Sequence, residues 1–130
     1  MREDMTSKKK RILVVDNLES DTRLLKMQLE QSADFEVREE NDPNAAVLTA
    51  EQFKPDLILL DLVMPAMDGR QLAACLQGSP KLKDVPIIFL TARITKEEVD
   101  AVGGRIGDFP FLAKPIVVAE LISSIRRHLP

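Results

Sequence analysis

The sequence has very few of the residues that build redox centres, soft-metal sites and stacking platforms. Among its 130 residues there is one cysteine and one histidine, and there is no tryptophan or tyrosine. The single cysteine, Cys75, excludes an internal disulfide and a multi-cysteine metal site, and its apolar helical neighbours predict a buried side chain. Without tryptophan or tyrosine, we expect no aromatic platform for single-stranded nucleic acid.

Long apolar runs and a strong excess of one charge are also missing. The formal net charge is -3, which does not favour nucleic acid or anionic membranes as partners. No run reaches the roughly 18 apolar residues of a membrane span, and Ile12–Val15 is too short for a signal peptide. We therefore expect a cytoplasmic protein with no direct nucleic-acid or membrane binding. A flexible N-terminal tail is expected over residues 1–9 and one domain over residues 10–130.

Short apolar runs alternate with helical patterns along the chain. Four runs suit strands that are buried on both faces, and the more polar Phe35–Glu40 suits an edge strand. The four runs are Ile12–Val15, Leu57–Leu60, Val85–Leu90 and Phe109–Ala113. Helices are predicted over Glu19–Gln31, from Asp42-Pro43 to Phe53, from Asp68-Gly69 to Gly78, from the capping box Thr95–Glu98 to Gly103-Gly104, and from Val118 to Leu129. This α/β alternation predicts a flavodoxin-like three-layer α/β/α sandwich, with five helices and a five-stranded parallel sheet of order 2-1-3-4-5.

Polar side chains follow four of the five predicted strands. Asp16 and Asn17 follow the first strand, and Asp61 follows the third. Thr91 and Lys114 end the fourth and fifth strands. Ligands of open α/β sheets bind at the carboxyl ends of the strands, so we expect these groups to share one rim. Paired carboxylates suit Mg²⁺, an aspartate can attack phosphorus, and a hydroxyl and an ammonium can stabilise a phosphoryl group.

The blocks that contain these residues resemble the receiver domains of bacterial two-component response regulators. The resemblance runs from about Lys10 to Leu129, and it is most specific where Met64-Pro65 and Asp68-Gly69 follow Asp61. It is carried by Arg11–Asn17, Pro55–Gly69, Val85–Ala92 and Phe111–Pro115. It implies a phosphoacceptor signalling switch that catalyses only its own Mg²⁺-dependent phosphorylation and dephosphorylation.

The resemblance also implies roles for individual residues. Asp61 matches the aspartate that accepts the phosphoryl group, and Thr91 and Lys114 match the hydroxyl and ammonium that respond to it. Phe111 matches the aromatic switch residue, which turns inward when Thr91 moves. The Lys114–Pro115 bond resembles the cis peptide of such domains. The implied cofactor is Mg²⁺, with Asp16, Asn17, Asp61 and the backbone carbonyl of Val63 as its ligands.

The implied partners follow from the same resemblance. A sensor histidine kinase or a histidine phosphotransfer protein would donate the phosphoryl group to Asp61. A downstream protein would bind the face made by the fourth helix, the fifth strand and the fifth helix.

One departure from the family pattern keeps a second interpretation open. Most members have two acids after the first strand, whereas Asn17 occupies the second of these positions. The amide retains an oxygen ligand but removes one negative charge, which predicts weaker Mg²⁺ binding. The alternative is therefore an interaction module of the same fold that no longer depends on phosphorylation. Small-molecule enzymes fit less well: Val63 replaces the second aspartate of haloacid-dehalogenase-type phosphatases, and no P-loop is present.

Overall fold

A computed structural model of the chain describes residues 9–65, 67–92, 105–106 and 109–130. The strands are β1 (Lys10–Val15), β2 (Phe35–Glu40), β3 (Leu57–Asp61), β4 (Ile87–Thr91), β5 (Arg105–Ile106) and β6 (Phe109–Ala113). The helices are α1 (Glu19–Ser32), α2 (Ala46–Phe53), α3 (Gly69–Gln77) and α4 (Val118–His128), with a 3-10 helix over Pro43–Ala45 before α2. No described helix is long and apolar enough to cross a membrane.

The strands form one sheet of order β2-β1-β3-β4-β6-β5. The five longer strands are parallel, and they correspond to the predicted order 2-1-3-4-5, which is thereby confirmed. The short β5 was not predicted. It pairs antiparallel with β6, where Arg105 stands opposite Pro110 and Ile106 opposite Phe109. Order reverses around β1 and β3, so their carboxyl ends border the expected ligand crevice.

The sheet is buried on both faces, because successive residues of a strand point to opposite sides and helices cover each side. Leu13 and Val15 of β1 join a core with residues of α2 and α3. Ile12 and Val14 join a second core with residues of α1 and α4. All four of these side chains are fully buried, and each contributes roughly 1.5–3 kcal/mol of hydrophobic stabilisation. The predicted three-layer sandwich is thus confirmed.

Two aspartates begin helical segments as the sequence predicts. Asp42 accepts a hydrogen bond from the Asn44 N–H (2.9 Å), and Asp68 accepts one from the Arg70 N–H (2.8 Å). Helix α2 ends at Phe53, and the next residue, Lys54, adopts a left-handed backbone conformation (φ 57°) before Pro55. These local signals set where the chain turns at the ends of the sheet.

The outer edge of β2 is occupied by two side chains of α1. The Lys26 ammonium donates to the Val37 carbonyl (2.7 Å), and the Glu30 carboxylate accepts from the Val37 N–H (3.0 Å). Lys26 and Glu30 also pair with each other (3.1 Å). The two side chains therefore satisfy main-chain groups that an edge strand otherwise leaves open to another chain.

Three sequence predictions need comment. The prediction that Cys75 is buried is wrong, since its side chain is exposed. Leu72, Ala73 and Leu76 face the core, and Cys75 lies outside that arc of α3. The predicted helix from Thr95 to Gly104 and nearly all of the predicted tail over residues 1–9 lie outside the described residues.

Candidate functional site

Two aspartates meet at the carboxyl ends of adjacent strands. Asp16 directly follows β1, and Asp61 is the last residue of β3. Their exposed fractions are only 2% and 6%. The charge of Asp16 acts on Asp61, and two buried neighbouring carboxylates repel each other when both are ionised. A nearby positive charge would relieve this repulsion.

Lys114 supplies a positive charge to this pair. Its Nζ lies 3.0 Å from Asp16 Oδ2, 3.5 Å from Asp21 Oδ2 and 3.7 Å from Asp61 Oδ1. The main-chain N–H of Lys114 donates to the Thr91 carbonyl (2.8 Å), which fixes the residue against the end of β4. The Lys114–Pro115 peptide is cis, as the sequence resemblance implies. The ammonium is therefore held by three carboxylates at the rim of the sheet.

The electrostatic environment shifts two pKa values. Burial and the charge of Asp16 raise the pKa of Asp61 to about 6, although Lys114 and the Val63 N–H act in the opposite direction. Burial of Lys114 lowers its pKa, but the hydrogen bond and charge of Asp16, together with Asp61 and Asp21, outweigh burial and leave that pKa raised. Lys114 is consequently charged at neutral pH, whereas Asp61 titrates close to it.

A glycine allows the chain after β3 to close around Asp61. A Cβ atom on Gly69 would stand 2.6 Å from the Asp61 carbonyl oxygen and 2.7 Å from the Leu62 Cα. The Gly69 N–H also donates to the Leu62 carbonyl (2.9 Å). Position 69 requires glycine, because neighbouring main-chain atoms are too close to leave room for a side chain.

The remaining predicted residues occupy the same region of the fold. Thr91 is fully buried at the end of β4, and half-buried Asn17 follows Asp16. Val63 is 36% exposed, and its N–H lies 3.5 Å from Asp61 Oδ1. Phe111 is 3% exposed and belongs to the core that contains α2 and α3. Its ring already points inward in this structure.

The oxygen donors of this rim fit a magnesium ion. Among the described residues, no three Asp, Glu, His or Cys side chains converge as a site that could hold a metal ion. Magnesium nevertheless needs only one or two carboxylates when waters and other oxygens complete its octahedron. Asp16 and Asp61 provide two buried carboxylates, and Asn17 adds an amide oxygen nearby in the chain. The donor set is compatible with Mg²⁺ and carries one charge less than a three-acid set.

Sequence reasoning missed one member of the site, Asp21. It lies in the first turn of α1, and its carboxylate contacts Lys114. A helix that starts just after a strand end places its first turn at the rim, so an acidic residue in that turn was a usable signal. Gly69 stood within the family motif, but the sequence did not show which atoms make it necessary.

Comparisons with known proteins identify the family of this chain. Residues 12–126 match the family model of the response regulator receiver domain. The response regulator PleD of Caulobacter vibrioides is 36% identical over 121 residues, which cover 89% of this chain and 25% of PleD. Protein PilH of Pseudomonas aeruginosa is 33% identical over 120 residues, covering 92% of this chain and 97% of PilH.

A solved structure gives the same result. The chemotaxis protein CheY4 of Vibrio cholerae superposes with a TM-score of 0.79 at 26% identity, covering 94% of this chain and all of CheY4 (100%). Some relatives are longer: the chain spans a quarter (25%) of PleD and about half (48%) of the regulatory protein PhoP of Bacillus subtilis. The fold, the buried aspartate pair with its lysine, and these matches agree, and the chain belongs to the response regulator receiver domain family, the signalling switches of two-component systems.

Proposed function

We propose that Asp61 accepts a phosphoryl group from a phosphohistidine of a sensor kinase or of a histidine phosphotransfer protein. The observation that carries this proposal is the placement of the Asp61 carboxylate: buried at the end of β3, beside Asp16 and 3.7 Å from the Lys114 ammonium. A nucleophilic oxygen, a second carboxylate and a cation at the point where strand order reverses are the parts that phosphoryl transfer to aspartate needs.

The reaction divides naturally among these residues. A carboxylate oxygen of Asp61 attacks phosphorus, the P–N bond of the phosphohistidine breaks, and its electron pair returns to the imidazole, which takes up a proton. The acyl phosphate formed on Asp61 carries about two negative charges. The Lys114 ammonium, now shared with Asp16 and Asp21, is within reach of those charges and would shift toward them. Ionised Asp61 is the nucleophilic form, so a pKa of about 6 leaves it competent at neutral pH.

Mg²⁺ is the proposed cofactor. Asp16, Asp61, the side-chain oxygen of Asn17 and the backbone carbonyl of Val63 would hold it. When bound, the ion neutralises charge on the transferring phosphoryl group and on the paired carboxylates. Without Mg²⁺, the positive charge that faces the carboxylates of Asp16 and Asp61 in this site is the Lys114 ammonium. We therefore expect no transfer to Asp61 without a divalent cation.

The output of the switch is proposed to pass through Thr91 and Phe111. Thr91 is buried at the end of β4, and Phe111 pairs with Phe89 across β4 and β6. A hydroxyl that follows the phosphoryl charge would change the space available to the Phe111 ring. The equilibrium between two arrangements of this region would then favour a different downstream partner on the face that includes β6 and α4. We further propose a cytoplasmic location, a tail over residues 1–9 and a domain over residues 10–130.

Intact-mass analysis after incubation with acetyl phosphate and Mg²⁺ tests the proposal. We expect one phosphoryl adduct on the wild type, none on Asp61→Asn, and none on the wild type when Mg²⁺ is chelated. Asp34→Asn is the matched control because Asp34 is exposed and lies outside the site, so it should carry the adduct. An adduct that persists on Asp61→Asn would contradict the assignment of Asp61.

One observation favours a second candidate, a phosphorylation-independent interaction module. The described residues hold no three-acid metal site, and Asn17 stands where most family members have an acid. A folded wild type that remains unmodified at high Mg²⁺, both with acetyl phosphate and with a panel of phosphorylated histidine phosphotransfer proteins, would support this second function.

A further inference from the structure

A half-buried asparagine after β2 touches the main chain of the acidic loop. The side-chain Nδ2 of Asn41 donates one hydrogen bond to the Asp16 carbonyl (2.8 Å) and one to Thr22 Oγ1 (2.9 Å). Asn41 thus uses both protons of its amide on residues of the segment that joins β1 to α1. Neither the family motif nor the mechanism above uses Asn41.

Thr22 extends this contact into a buried chain of polar groups. Its side chain is fully buried on α1, and its hydroxyl donates to the Glu39 carboxylate (2.8 Å), with the Glu19 carbonyl 3.1 Å away. Glu39 belongs to β2, so the chain joins the edge strand to the first helix. A buried hydroxyl that is both acceptor and donor has little freedom to reorient, and it therefore fixes the amide of Asn41.

The other atoms of Asp16 are fixed independently. Its N–H donates to the Glu40 carbonyl (3.2 Å), its Oδ1 accepts from the Leu18 N–H (3.0 Å), and its Oδ2 accepts from Lys114 (3.0 Å). Asn41 supplies a contact to the remaining polar atom, the carbonyl. That carbonyl belongs to the planar peptide between Asp16 and Asn17, so holding it sets the direction in which the chain enters Asn17.

We propose that Asn41 is a positioning residue for the divalent cation site: by orienting the Asp16–Asn17 peptide, it places the two consecutive oxygen donors in the arrangement that binds Mg²⁺. This inference rests on the proposed function. Asn41 does not contact the cation itself. Its effect is transmitted through one peptide unit, in the way that groups behind metal ligands orient those ligands.

The expected signature is a loss of Mg²⁺ affinity with the maximal rate preserved. By calorimetric titration, Asn41→Ala should bind Mg²⁺ about three- to tenfold more weakly. This is the factor expected for loss of the hydrogen bond to the Asp16 carbonyl, which is the one of its two bonds that orients the peptide. With acetyl phosphate, the Mg²⁺ concentration for half-maximal phosphorylation should rise by the same factor. The phosphorylation rate at saturating Mg²⁺ should stay within about twofold of wild type, because the substitution removes a hydrogen bond behind the ligands and leaves every reacting group in place.

Paired variants separate positioning from general stability. Thr22→Val removes the hydroxyl that holds Asn41 and should weaken Mg²⁺ binding, whereas Thr22→Ser retains it and should bind as wild type does. Ser79→Ala is the matched control, because it removes a buried hydroxyl that donates to Glu51 (2.7 Å), and within the described part of the chain no hydrogen bond joins either residue to Asp16. Its Mg²⁺ dissociation constant should equal that of the wild type.

The outcomes distinguish the two levels of proposal. Equal Mg²⁺ dissociation constants for wild type and Asn41→Ala would overturn the positioning role while leaving the phosphoacceptor function intact. Equal weakening in Ser79→Ala, or in Thr22→Ser, would overturn it too, since the effect would then be one of stability. A wild type that neither binds Mg²⁺ nor accepts a phosphoryl group would overturn the proposed function and this inference with it.

Discussion

The Lys114 ammonium lies closer to Asp16 than to Asp61: its Nζ is 3.0 Å from Asp16 Oδ2 and 3.7 Å from Asp61 Oδ1. Its shortest hydrogen bond therefore goes to the carboxylate that is not the proposed nucleophile. Asp61 receives the positive charge of Lys114 at longer range and retains oxygens for other partners. This division explains why the charge of Lys114 lowers the pKa of Asp61 too little to offset burial and Asp16, so that the pKa stays raised.

Replacing Lys114 should raise the pKa of Asp61 further. In Lys114→Met the influences that remain include burial and the charge of Asp16, and both disfavour ionised Asp61. We expect the Asp61 pKa to move above about 6, measured by carbon NMR titration of the side-chain carboxyl in metal-free buffer. Lys83→Met, at an exposed position, is the control. A lower Asp61 pKa in Lys114→Met would contradict the geometry.

Asp61→Asn should stabilise the metal-free protein above pH 6. Because the folded-state pKa of Asp61 is raised from 3.8 to about 6, the folded state binds more protons than the unfolded state between these values, and stability falls as pH rises through them. The substitution removes this penalty, which is about 3 kcal/mol at most. Urea unfolding at pH 7.5 and at pH 3.5 should show a gain for Asp61→Asn only at the higher pH. A gain of equal size at pH 3.5 would show that ionisation is not its cause.

Asn17→Asp should tighten Mg²⁺ binding. The substitution restores a charge next to Asp16 at a rim that now has two buried carboxylates. A hard divalent cation gains directly from an added carboxylate ligand. Calorimetric titration should give a dissociation constant about tenfold or more lower than wild type. An unchanged dissociation constant would mean that position 17 does not contact the ion.

Gly69→Ala should destabilise the protein and disturb Asp61. Its new methyl group would stand 2.6 Å from the Asp61 carbonyl oxygen, so the main chain must move. We expect a loss of about 2–3 kcal/mol in the free energy of unfolding, with slower phosphorylation. Gly78→Ala is the matched control, because a Cβ there meets nothing closer than 3.4 Å and the backbone is helical (φ -73°). It should be neutral or slightly stabilising.

Glu30→Gln should weaken the edge of β2 at neutral pH and have less effect in acid. Burial raises the pKa of Glu30, but the Val37 N–H and Lys26 outweigh burial and leave the pKa lowered. A lowered carboxyl pKa stabilises the protein above the unfolded-state value, and this contribution is lost as pH falls through the folded-state pKa. The difference in unfolding free energy should be about 1 kcal/mol or less at pH 7.

Thermal unfolding of wild type and Glu30→Gln at pH 7 and pH 3 measures this difference. Glu19→Gln is the control, since the carboxylate of Glu19 forms an exposed ion pair with Arg23 on the same helix. A Glu30→Gln effect that grew toward pH 3 would contradict the assignment of the lowered pKa.

The central strands could be predicted because burial on both faces determines their apolar composition. Leu57–Leu60 is apolar at every position, as a strand covered on both faces must be, and the structure places all of it in β3. The caps at Asp42 and Asp68 were equally readable, since each acts on a main-chain N–H two residues away. Cys75 was misjudged because its apolar neighbours mark a helix but do not fix which arc of that helix faces the core.

The site was only partly predictable, because its decisive contacts join residues far apart in the chain. The predicted strand order placed Asp16, Asp61 and Lys114 at one rim. The contact of Lys114 with Asp21 could not be predicted, because it depends on how α1 lies on the sheet. Gly69 and Asn41 are similar cases. Gly69 is needed because main-chain atoms of Asp61 and Leu62 lie close to it, and Asn41 matters because its side chain reaches the Asp16 carbonyl. No local sequence pattern encodes either contact.

The sheet divides the interior into two separate cores, and Phe111 belongs to only one of them, the core shared with α2 and α3. Any movement of that ring must be absorbed by repacking on its own side, because the sheet stands between it and the side chains of α1 and α4. If the proposed switch moves this ring, the side chains that repack first are those of the core shared with α2 and α3. A change would then reach α4 through the main chain of β6, which precedes it in the sequence, and not through side-chain packing across the sheet.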